Sequence, residues 1–271
     1  MLKFDYINDV HLDFWVPFDK NQLKLERKTK IFAIKMLPEQ PAQSLLIGGD
    51  LGHYNKQNYW FLEELSKVYT NILLVIGNHD FYLITKNQEK KYQYNSFKRV
   101  QEMKELATLL PQVTYLEGNT VEIEGVTFGG TGMWYDFSYG QKHLDQSFED
   151  VQTQWSWFSN DSRKIKGIST GKRYESEKEK LEKVIRQSDV ILTHVGPTHE
   201  FSPYQQEELL FNSFYFFDGE TYIQNYQSKI WCFGHVHIRE QFHKNGWTFI
   251  SHSLGYPDQL GFTPLKQIEL D

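Results

Sequence analysis

The stretch Ser44 to Gly52, which reads SLLIGGDLG, most constrains what this chain can fold into. A short apolar run that stops at two glycines is typical of a buried parallel strand and its exit turn. Asp50 then stands at the carboxyl end of the strand, where ligands gather in α/β sheets. An isolated aspartate in such a turn is more often a solvated helix or turn cap. The interpretation of Asp50 as a ligand-binding residue therefore depends on the other strand ends.

Four further predicted strands also end at polar residues of the kind that bind metal ions. Residues two apart in an extended chain project to one side, so Asp9 and His11 could hold one cation together. Carboxylate oxygen and imidazole nitrogen suit Mn, Fe or Zn, although a turn aspartate and a surface histidine would look the same. The strands and the residues after them are Lys3–Ile7 with Asp9 and His11, Asn71–Ile76 with Asn78 and His79, Asp189–Leu192 with His194, and Lys229–Phe233 with His235 and His237.

The order of the predicted elements indicates the fold class. Strand-helix units come first, and hairpins with turns at Glu124-Gly125 and at Lys244 to Gly246 come later. This mixture predicts an α/β fold, a layered α-β-β-α sandwich of two mixed sheets flanked by helices, in a single domain over residues 1–271. The predicted helices are Thr29–Leu37, Lys56–Tyr69, Gln88–Leu110 and Tyr174–Gln187, and a final edge strand is predicted at Ile268–Leu270.

Two of these helices allow predictions about side-chain environment. The second has an apolar stripe at helical spacing, which is interpreted as core, and the third has basic residues that are interpreted as a solvated face. The stripe consists of Trp60, Phe61, Leu65 and Val68, and the basic residues are Lys90, Lys91, Lys98 and Arg99.

The segment from about residue 133 to 175 is rich in aromatic residues and has little periodicity. It is interpreted as a helical insertion packed on the domain. The alternative is a lid whose aromatic side chains stack on a base or another planar group.

Composition argues against several classes of protein. A net charge of −6 and a pI near 5.9 argue against a protein that binds nucleic-acid duplexes through a broad basic surface. They do not exclude a local basic groove. The single cysteine, Cys232, offers neither an intramolecular disulfide nor a cysteine metal site. No stretch is apolar for long enough to cross a bilayer, and no signal-type region follows Met1. A soluble cytoplasmic protein is therefore expected.

Taken together, the strand ends resemble the signature of the calcineurin-like metallophosphoesterase family, whose blocks are D-x-H, G-D, G-N-H-D/E, H and G-H-x-H. All five blocks occur in this order between Asp9 and His237. Each block alone is degenerate, but the ordered set, which spans most of the chain, is specific.

The resemblance implies a site for two divalent metal ions. Two cations about 3.5 to 4 Å apart can hold a hydroxide that attacks the phosphorus, and they neutralise charge on the phosphoryl oxygens. Manganese is favoured, and iron, zinc or nickel also suits a site of nitrogen and oxygen ligands. The implied ligands are Asp9, His11 and His237 for the first ion, Asn78, His194 and His235 for the second, and Asp50 for both.

The resemblance gives His79 a role in catalysis instead of metal binding. In the family pattern this histidine faces the phosphate, as general acid to the leaving oxygen or as a cation that stabilises the transition state. Asp80 could orient His79 or could cap the following helix.

The chain departs from the Ser/Thr protein phosphatase branch after the bridging aspartate. That branch has a D-R-G run, which supplies an aspartate partner for the catalytic histidine and a phosphate-binding arginine, whereas this chain has His53 and Tyr54. A protein phosphatase of that branch is therefore not expected. His53 is a candidate substitute contact for the phosphate, and His252, after the last block, is a candidate for the rim of the site.

The expected function is hydrolysis of a phosphodiester or phosphomonoester, with a nucleotide or another small phosphorylated molecule as substrate. One alternative is a nuclease or an enzyme that processes nucleic-acid ends, and the acidic net charge argues against it. The other is a non-catalytic scaffold, and the intact ligand set argues against that. Substrate identity and oligomeric state cannot be read from the sequence.

Overall fold

The computed structural model of the protein describes residues 2–204, 206–226 and 230–270. Two mixed β-sheets pack face to face and helices cover both outer faces, so the predicted α-β-β-α sandwich is confirmed. That the chain forms a single domain stays a prediction. The strands are β1 (Lys3–Ile7), β2 (Ser44–Ile47), β3 (Asn71–Leu74), β4 (Val113–Tyr115), β5 (Asn119–Ile123), β6 (Val126–Thr131), β7 (Val190–Thr193), β8 (Ile230–Cys232), β9 (Arg239–Lys244), β10 (Trp247–His252) and β11 (Lys266–Glu269).

The first sheet has the strand order β11-β1-β2-β3-β4. The edge strand β11 is antiparallel to β1, as the sequence predicts for the last strand, and the other neighbours are parallel. Ile7, Ile47 and Leu74 lie side by side across β1, β2 and β3. Because these parallel strands end level, the residues that follow them meet at one edge of the sheet.

The second sheet has the strand order β5-β6-β7-β8-β10-β9, with antiparallel pairs at both edges and parallel pairs between them. Both predicted hairpins are confirmed. Glu124, Gly125, Asn245 and Gly246 have φ between 50° and 80°, the left-handed values that two-residue type I′ turns require. Lys229, the predicted first residue of the fourth strand, lies outside the described residues.

The sheets are held together by apolar side chains from both inner faces. Phe4, Leu46 and Leu73 of the first sheet share a core cluster with Phe128 and Leu192 of the second. The outer faces of the sheets are covered by helices, so the central strands are buried on both sides. This explains why β2, β3 and β7 read as continuous apolar runs instead of alternating ones.

Helices cover both outer faces of the sandwich. In the described residues, no helix combines the length and the apolar character that crossing a membrane requires. The helices are α1 (Leu12–Trp15), α2 (Gln22–Met36), α3 (Asn55–Leu65), α4 (Lys86–Lys91), α5 (Ser96–Ala107), α6 (Ser138–His143), α7 (Phe148–Phe158), α8 (Asn160–Lys164), α9 (Thr170–Val184), α10 (Asn212–Tyr215) and α11 (Glu220–Asn225), with 3-10 turns at His79–Phe81, His199–Phe201 and Gln206–Phe211.

Local capping explains two differences from the predicted helices. Helix α2 begins seven residues before Thr29, because the side chain of Asn21 caps it by accepting a hydrogen bond from the Lys24 amide at 3.1 Å. The long helix predicted after residue 88 is two helices, α4 and α5. Gln93 and Tyr94, which separate them, both have a left-handed φ of 54° that a helix cannot contain.

The predicted solvated position of Arg99 is wrong. Arg99 is fully buried, on a face of α5 that also buries Ser96 and Met103, whereas Lys98 is exposed as predicted. The prediction that Val68 belongs to the core is also wrong. Val68 is 41% exposed, because α3 ends at Leu65 and the apolar stripe does not continue beyond it.

The aromatic-rich segment forms α6, α7, α8 and the start of α9. Trp134, Tyr135 and Phe137 are buried in the core on the outer face of the second sheet, as a packed insertion would be. Trp157 and Phe158 are exposed by more than half. The segment therefore packs on the sheet and also presents aromatic side chains outward.

Candidate metal centre

The residues that follow β1, β2, β7 and β8 converge at one end of the sandwich. Ligand atoms of Asp9, His11 and His237 lie within 4.8 Å of one another, and so do ligand atoms of Asp9, Asp50 and His194. His11 Nε2 is 2.9 Å from His237 Nε2, so the two imidazoles face each other. Ligand atoms of His11, Asp50 and His79 form a third such group. Strand ends that are distant in sequence thus form overlapping groups of candidate metal ligands, in which Asp9 and Asp50 each occur twice.

Asp50 lies between the imidazoles of the two groups. Its Oδ2 atom is 3.7 Å from His11 Nε2 and 3.5 Å from His194 Nε2. On the far side, His194 Nε2 is 2.9 Å from the side-chain oxygen of Asn78. A carboxylate in this position can serve both groups, because each of its oxygens has lone pairs to offer.

The backbone at these strand ends is strained. The φ values are 49° at Asp9, 44° at His11, 55° at Asp50, 73° at His235 and 49° at His237. Left-handed conformations at residues other than glycine cost about 1–3 kcal/mol each and are concentrated at functional sites. These strained turns direct the side chains of the five residues toward the same region.

Hydrogen bonds determine which ring nitrogen of His194 and of His235 is available to a metal ion. His194 Nδ1 donates to the carbonyl of Gly48 at 2.8 Å, which leaves Nε2 free to bind a metal. His235 Nε2 donates to the carbonyl of Phe214 at 3.0 Å, which leaves Nδ1. The carboxylate of Asp9 accepts from the His235 amide at 3.0 Å.

The electrostatics of the cluster fit divalent cations. Burial, together with the nearby carboxylates of Asp80 and Asp9, raises the pKa of Asp50 well above its usual value. Burial lowers the pKa of His11 well below its usual value and that of His235 to about 4. A divalent metal ion binds neutral imidazoles and ionised carboxylates, so the lowered pKa values of the histidines favour binding, and a bound cation would relieve the repulsion that raises the pKa of Asp50. The residues present therefore fit such an ion.

His79 is part of a chain of hydrogen-bonded side chains that leads away from the cluster. Its Nδ1 atom is 3.1 Å from His53 Nε2, and His53 Nδ1 is 2.8 Å from Asp13 Oδ2. Since the carboxylate can only accept, His53 donates from Nδ1 and presents Nε2 as the acceptor for His79. His53 thus contacts His79, and Asp13, which sequence analysis missed, orients His53.

Asp80 is directed at the backbone and not at the His79 ring. Its carboxylate accepts from the amides of Gly77 at 2.8 Å, Asp50 at 3.0 Å and Leu51 at 3.2 Å. These bonds tie the loop after β3 to the loop after β2, which differs from both roles considered for Asp80, orienting His79 and capping a helix.

The buried Arg99 supports the same two loops from α5. Its guanidinium donates to the carbonyl of His79 at 2.8 Å and also to those of Asp80 and Gly52. The sequence carries a signal for this position, because Arg99 falls on the same helical face as Ser96 and Met103.

The family model for calcineurin-like phosphoesterases matches residues 2–239, which include every strand end described above. The chain belongs to this family. Family membership makes the protein a metal-dependent phosphoesterase.

Two relatives cover almost the whole chain. An uncharacterised protein of Acanthamoeba polyphaga mimivirus is 24% identical over 279 residues, which is 98% of this chain and 96% of that protein. The crystal structure of the phosphopantetheinyl hydrolase of Mycobacterium tuberculosis is similar with a TM-score of 0.71 and 16% identity, over 99% of this chain and 96% of the other. Because the identity to the hydrolase is 16%, this similarity shows a shared fold alone.

The aromatic-rich segment contributes a carboxylate to this phosphoesterase site. Asp161 in α8 is buried and accepts a hydrogen bond from the Asn78 side-chain amide at 2.8 Å. The hydroxyls of Tyr82 and Tyr135 also donate to it, the second at 2.7 Å. Asp161 therefore holds the amide of Asn78 so that its oxygen faces His194. No sequence signal marks Asp161, because it is 83 residues from Asn78.

A cavity of about 520 Å³ opens over the cluster. Its walls are largely aromatic, and in the described part of the chain no lysine or arginine lines it. The lining residues that carry the arguments below are Asp50, Asp161, Phe158, Asn160, Tyr204, Phe211 and Tyr215.

His252 does not join the cluster. Its Nε2 atom donates to the carbonyl of Pro264 at 3.0 Å, and the side chain is not among those that line the cavity. The structure thus brings together six of the residues assigned as ligands, with His79 and His53 beside them, and leaves His252 apart: the six are Asp9, His11, Asp50, Asn78, His194 and His237. The ring of the seventh, His235, lies next to that of His194, with centroids 5.0 Å apart.

Proposed function

We propose that the protein hydrolyses a phosphodiester or phosphomonoester of a nucleotide or another small phosphorylated molecule with two divalent metal ions. The observation that carries the proposal is the position of Asp50, whose Oδ2 atom is within 3.7 Å of His11 Nε2 and within 3.5 Å of His194 Nε2. A carboxylate shared by two groups of ligands suits two ions better than one.

The ligand assignment is the one that the family resemblance implies. When bound, such ions supply Lewis acidity, an activated water and neutralisation of phosphoryl charge. Manganese is the favoured metal for these nitrogen and oxygen ligands. Asp9, His11 and His237 would hold the first ion, Asn78, His194 and His235 the second, and Asp50 both.

In its doubly protonated form, with one proton on Nδ1 shared with His53 and the other on Nε2, His79 would donate the Nε2 proton to the leaving oxygen and become neutral. Its ring lies at the cavity wall and is engaged through Nδ1 by His53, so Nε2 is the atom that can face the substrate. His79 also lies within ligand distance of His11 and Asp50, so an experiment must distinguish a general acid from a metal ligand at this position.

A nucleic-acid substrate has less support. Nucleic-acid sites rely on lysine and arginine contacts with phosphates, and none lines the cavity in the described residues. A cytoplasmic location is part of the proposal and is consistent with the single buried cysteine, Cys232.

The test compares the metal-free protein with protein reloaded with Mn, Ni or Zn. Hydrolysis of bis-p-nitrophenyl phosphate or p-nitrophenyl phosphate should require added metal. His79→Ala should keep two metal ions per chain and lose at least about a hundredfold in kcat, whereas Asp50→Ala should bind fewer than two ions. Loss of metal from His79→Ala would make His79 a ligand, and two bound ions without turnover of any ester would favour a scaffold.

A further inference from the structure

We propose that the cavity selects monoanionic phosphodiesters over dianionic phosphomonoesters and polyphosphates, and that an organic group of the diester packs on its aromatic wall. This inference rests on the proposed function and names the substrate class for the same site.

The first argument is the charge of the cavity. Its lining includes the carboxylates of Asp50 and Asp161, and none of its described residues is a lysine or an arginine. Enzymes that bind dianionic phosphates commonly hold them with arginine or lysine side chains. The planar guanidinium of arginine or the ammonium of lysine then pairs with the phosphate oxygens. Here no side chain of that kind faces the substrate.

The guanidinium groups of four arginines in this part of the protein already have hydrogen-bond or ion-pair partners. The Arg99 guanidinium donates to backbone carbonyls beneath the site. Arg173 is buried and forms an ion pair with Glu177 at 2.9 Å. Arg239 donates to the carbonyls of Ser253 at 2.9 Å and of Gly261 at 2.6 Å. Arg163 of α8 donates to the carbonyl of Trp157 and to the side-chain oxygen of Asn160, each at 2.9 Å. A bound phosphate would have to displace one of these partners from any of the four guanidinium groups.

Two divalent ions would not make up for this lack of cations. They would bring four positive charges, and the carboxylates of Asp9, Asp50 and Asp161 would balance three of them. Histidine ligands bind metal as neutral imidazoles, and Asn78 is uncharged. The buried carboxylate of Asp80 is offset by the guanidinium of Arg99. At most one positive charge then remains, and none once the activated water is ionised, so a dianion would leave more excess negative charge than a diester in this partly buried site.

The second argument is the aromatic wall, which we define as Tyr215, Tyr204, Phe211 and Phe158. Its rings form a continuous series that starts at His235, with centroid distances of 4.5 Å to Tyr215, 4.9 Å on to Tyr204, 5.6 Å to Phe211 and 6.3 Å to Phe158. A wall of this kind binds planar or apolar groups. A diester carries two organic groups, so one can leave while the other contacts the wall.

The experiment uses three esters with the same leaving group: p-nitrophenyl phosphate, methyl p-nitrophenyl phosphate and bis-p-nitrophenyl phosphate. After division by the uncatalysed rates, kcat/KM should be at least about tenfold lower for the monoester than for either diester, and highest for the diaryl ester. Calorimetric titration with phenyl phosphate and diphenyl phosphate should give the same order from binding alone.

Matched variants test each argument. Asn160→Arg adds a cation at the cavity and also frees Arg163 from its bond to the Asn160 side-chain oxygen, whereas Gln152→Arg adds the same charge on α7 away from the cavity. The first should raise kcat/KM for the monoester relative to the diesters by about fivefold, and the second should not. Phe158→Ala should lose the preference for the diaryl ester over the methyl ester, whereas Trp157→Ala, an exposed neighbour outside the cavity, should keep it.

A monoester that is hydrolysed and bound as well as both diesters, with Asn160→Arg indistinguishable from Gln152→Arg, would overturn the inference and leave the proposed function standing. Two bound ions without hydrolysis of any of the three esters would instead overturn the proposed function, and the inference with it.

Discussion

The side chains behind His79 explain how this chain replaces the aspartate partner of the protein phosphatase branch. His53 occupies that place and is itself oriented by Asp13, with distances of 3.1 Å to His79 Nδ1 and 2.8 Å to Asp13 Oδ2. A histidine is longer than an aspartate and neutral in its acceptor form, so a carboxylate behind it restores a negative charge. The role considered for His53 as a phosphate contact is less consistent with this geometry, because both of its ring nitrogens are engaged.

We expect His53→Ala to reduce kcat by about tenfold to a hundredfold for esters with poor leaving groups. The reason is that His79 would lose the partner that holds its ring, and proton donation matters most when the leaving oxygen is basic. Rates for p-nitrophenyl and alkyl esters, measured with metal content, test this.

His243→Ala, which removes an exposed histidine on β9, is the control and should leave both rates unchanged. An equal loss for both classes of ester in His53→Ala would mean that His53 acts on something other than proton transfer.

At the scale of elements, the site depends on helices that carry no ligand. Arg99 of α5 holds the carbonyls of the two loops that carry Asp50 and His79, and Asp161 of α8 holds the amide of Asn78. Helical packing thus sets the positions of the strand-end loops.

Arg99→Met should destabilise the protein by about 3 kcal/mol. It would remove one donor from each of the carbonyls of His79, Asp80 and Gly52. It would also remove the positive charge closest to the buried carboxylate of Asp80, whose pKa Arg99 holds down against the raising effect of burial. The free energy of unfolding in urea measures this loss.

The neighbouring variant Lys98→Met should change the free energy of unfolding by less than about 0.5 kcal/mol, since Lys98 is exposed. Equal stability of the two variants would contradict the structural role of Arg99.

Asp161→Asn should weaken binding of one of the two metal ions by about tenfold to a hundredfold. The carboxylate that orients the Asn78 amide would be lost, and the amide could turn its nitrogen toward the metal. Calorimetric metal titration would show one weakened site and one unchanged site.

Asp145→Asn, a neutral substitution of an exposed aspartate in the same aromatic-rich segment, is the matched control and should bind both ions normally. Unchanged binding by Asp161→Asn would show that Asn78 is oriented without the insertion.

For the whole molecule, the metal centre lies where the two sheets meet, so bound metal would connect them. Asp9 and Asp50 come from the first sheet, and His194 and His237 come from the second. Without a cation, the buried carboxylates at this junction repel each other.

Removal of metal with a chelator should lower the melting temperature by about 5–10 °C. A ligand at a hundredfold excess over its Kd stabilises the folded state by about 2.7 kcal/mol, and each kcal/mol shifts the melting temperature of a chain this long by about 2–4 °C. Calorimetric scans with and without chelator measure the shift.

The control is Asp50→Ala, whose melting temperature should depend on metal much less. A wild-type melting temperature that does not change while bound metal is removed would contradict a centre that joins the sheets.

The sequence by itself determined the strands, their polar ends and the fold class. These features are local: continuous apolar runs predict buried parallel strands, and parallel strands that end together bring Asp9, Asp50 and Asn78 to one edge of the first sheet, while His194 follows a parallel strand of the second. The tertiary structure alone decided which side chains support these residues. Asp13, Arg99 and Asp161 come from helices that are distant in sequence from the groups they hold. A hydrogen bond across 83 residues, such as that from Asn78 to Asp161, leaves no periodicity or spacing in the sequence. Buried polar partners are fixed by packing, since each has to satisfy the groups that the fold places next to it.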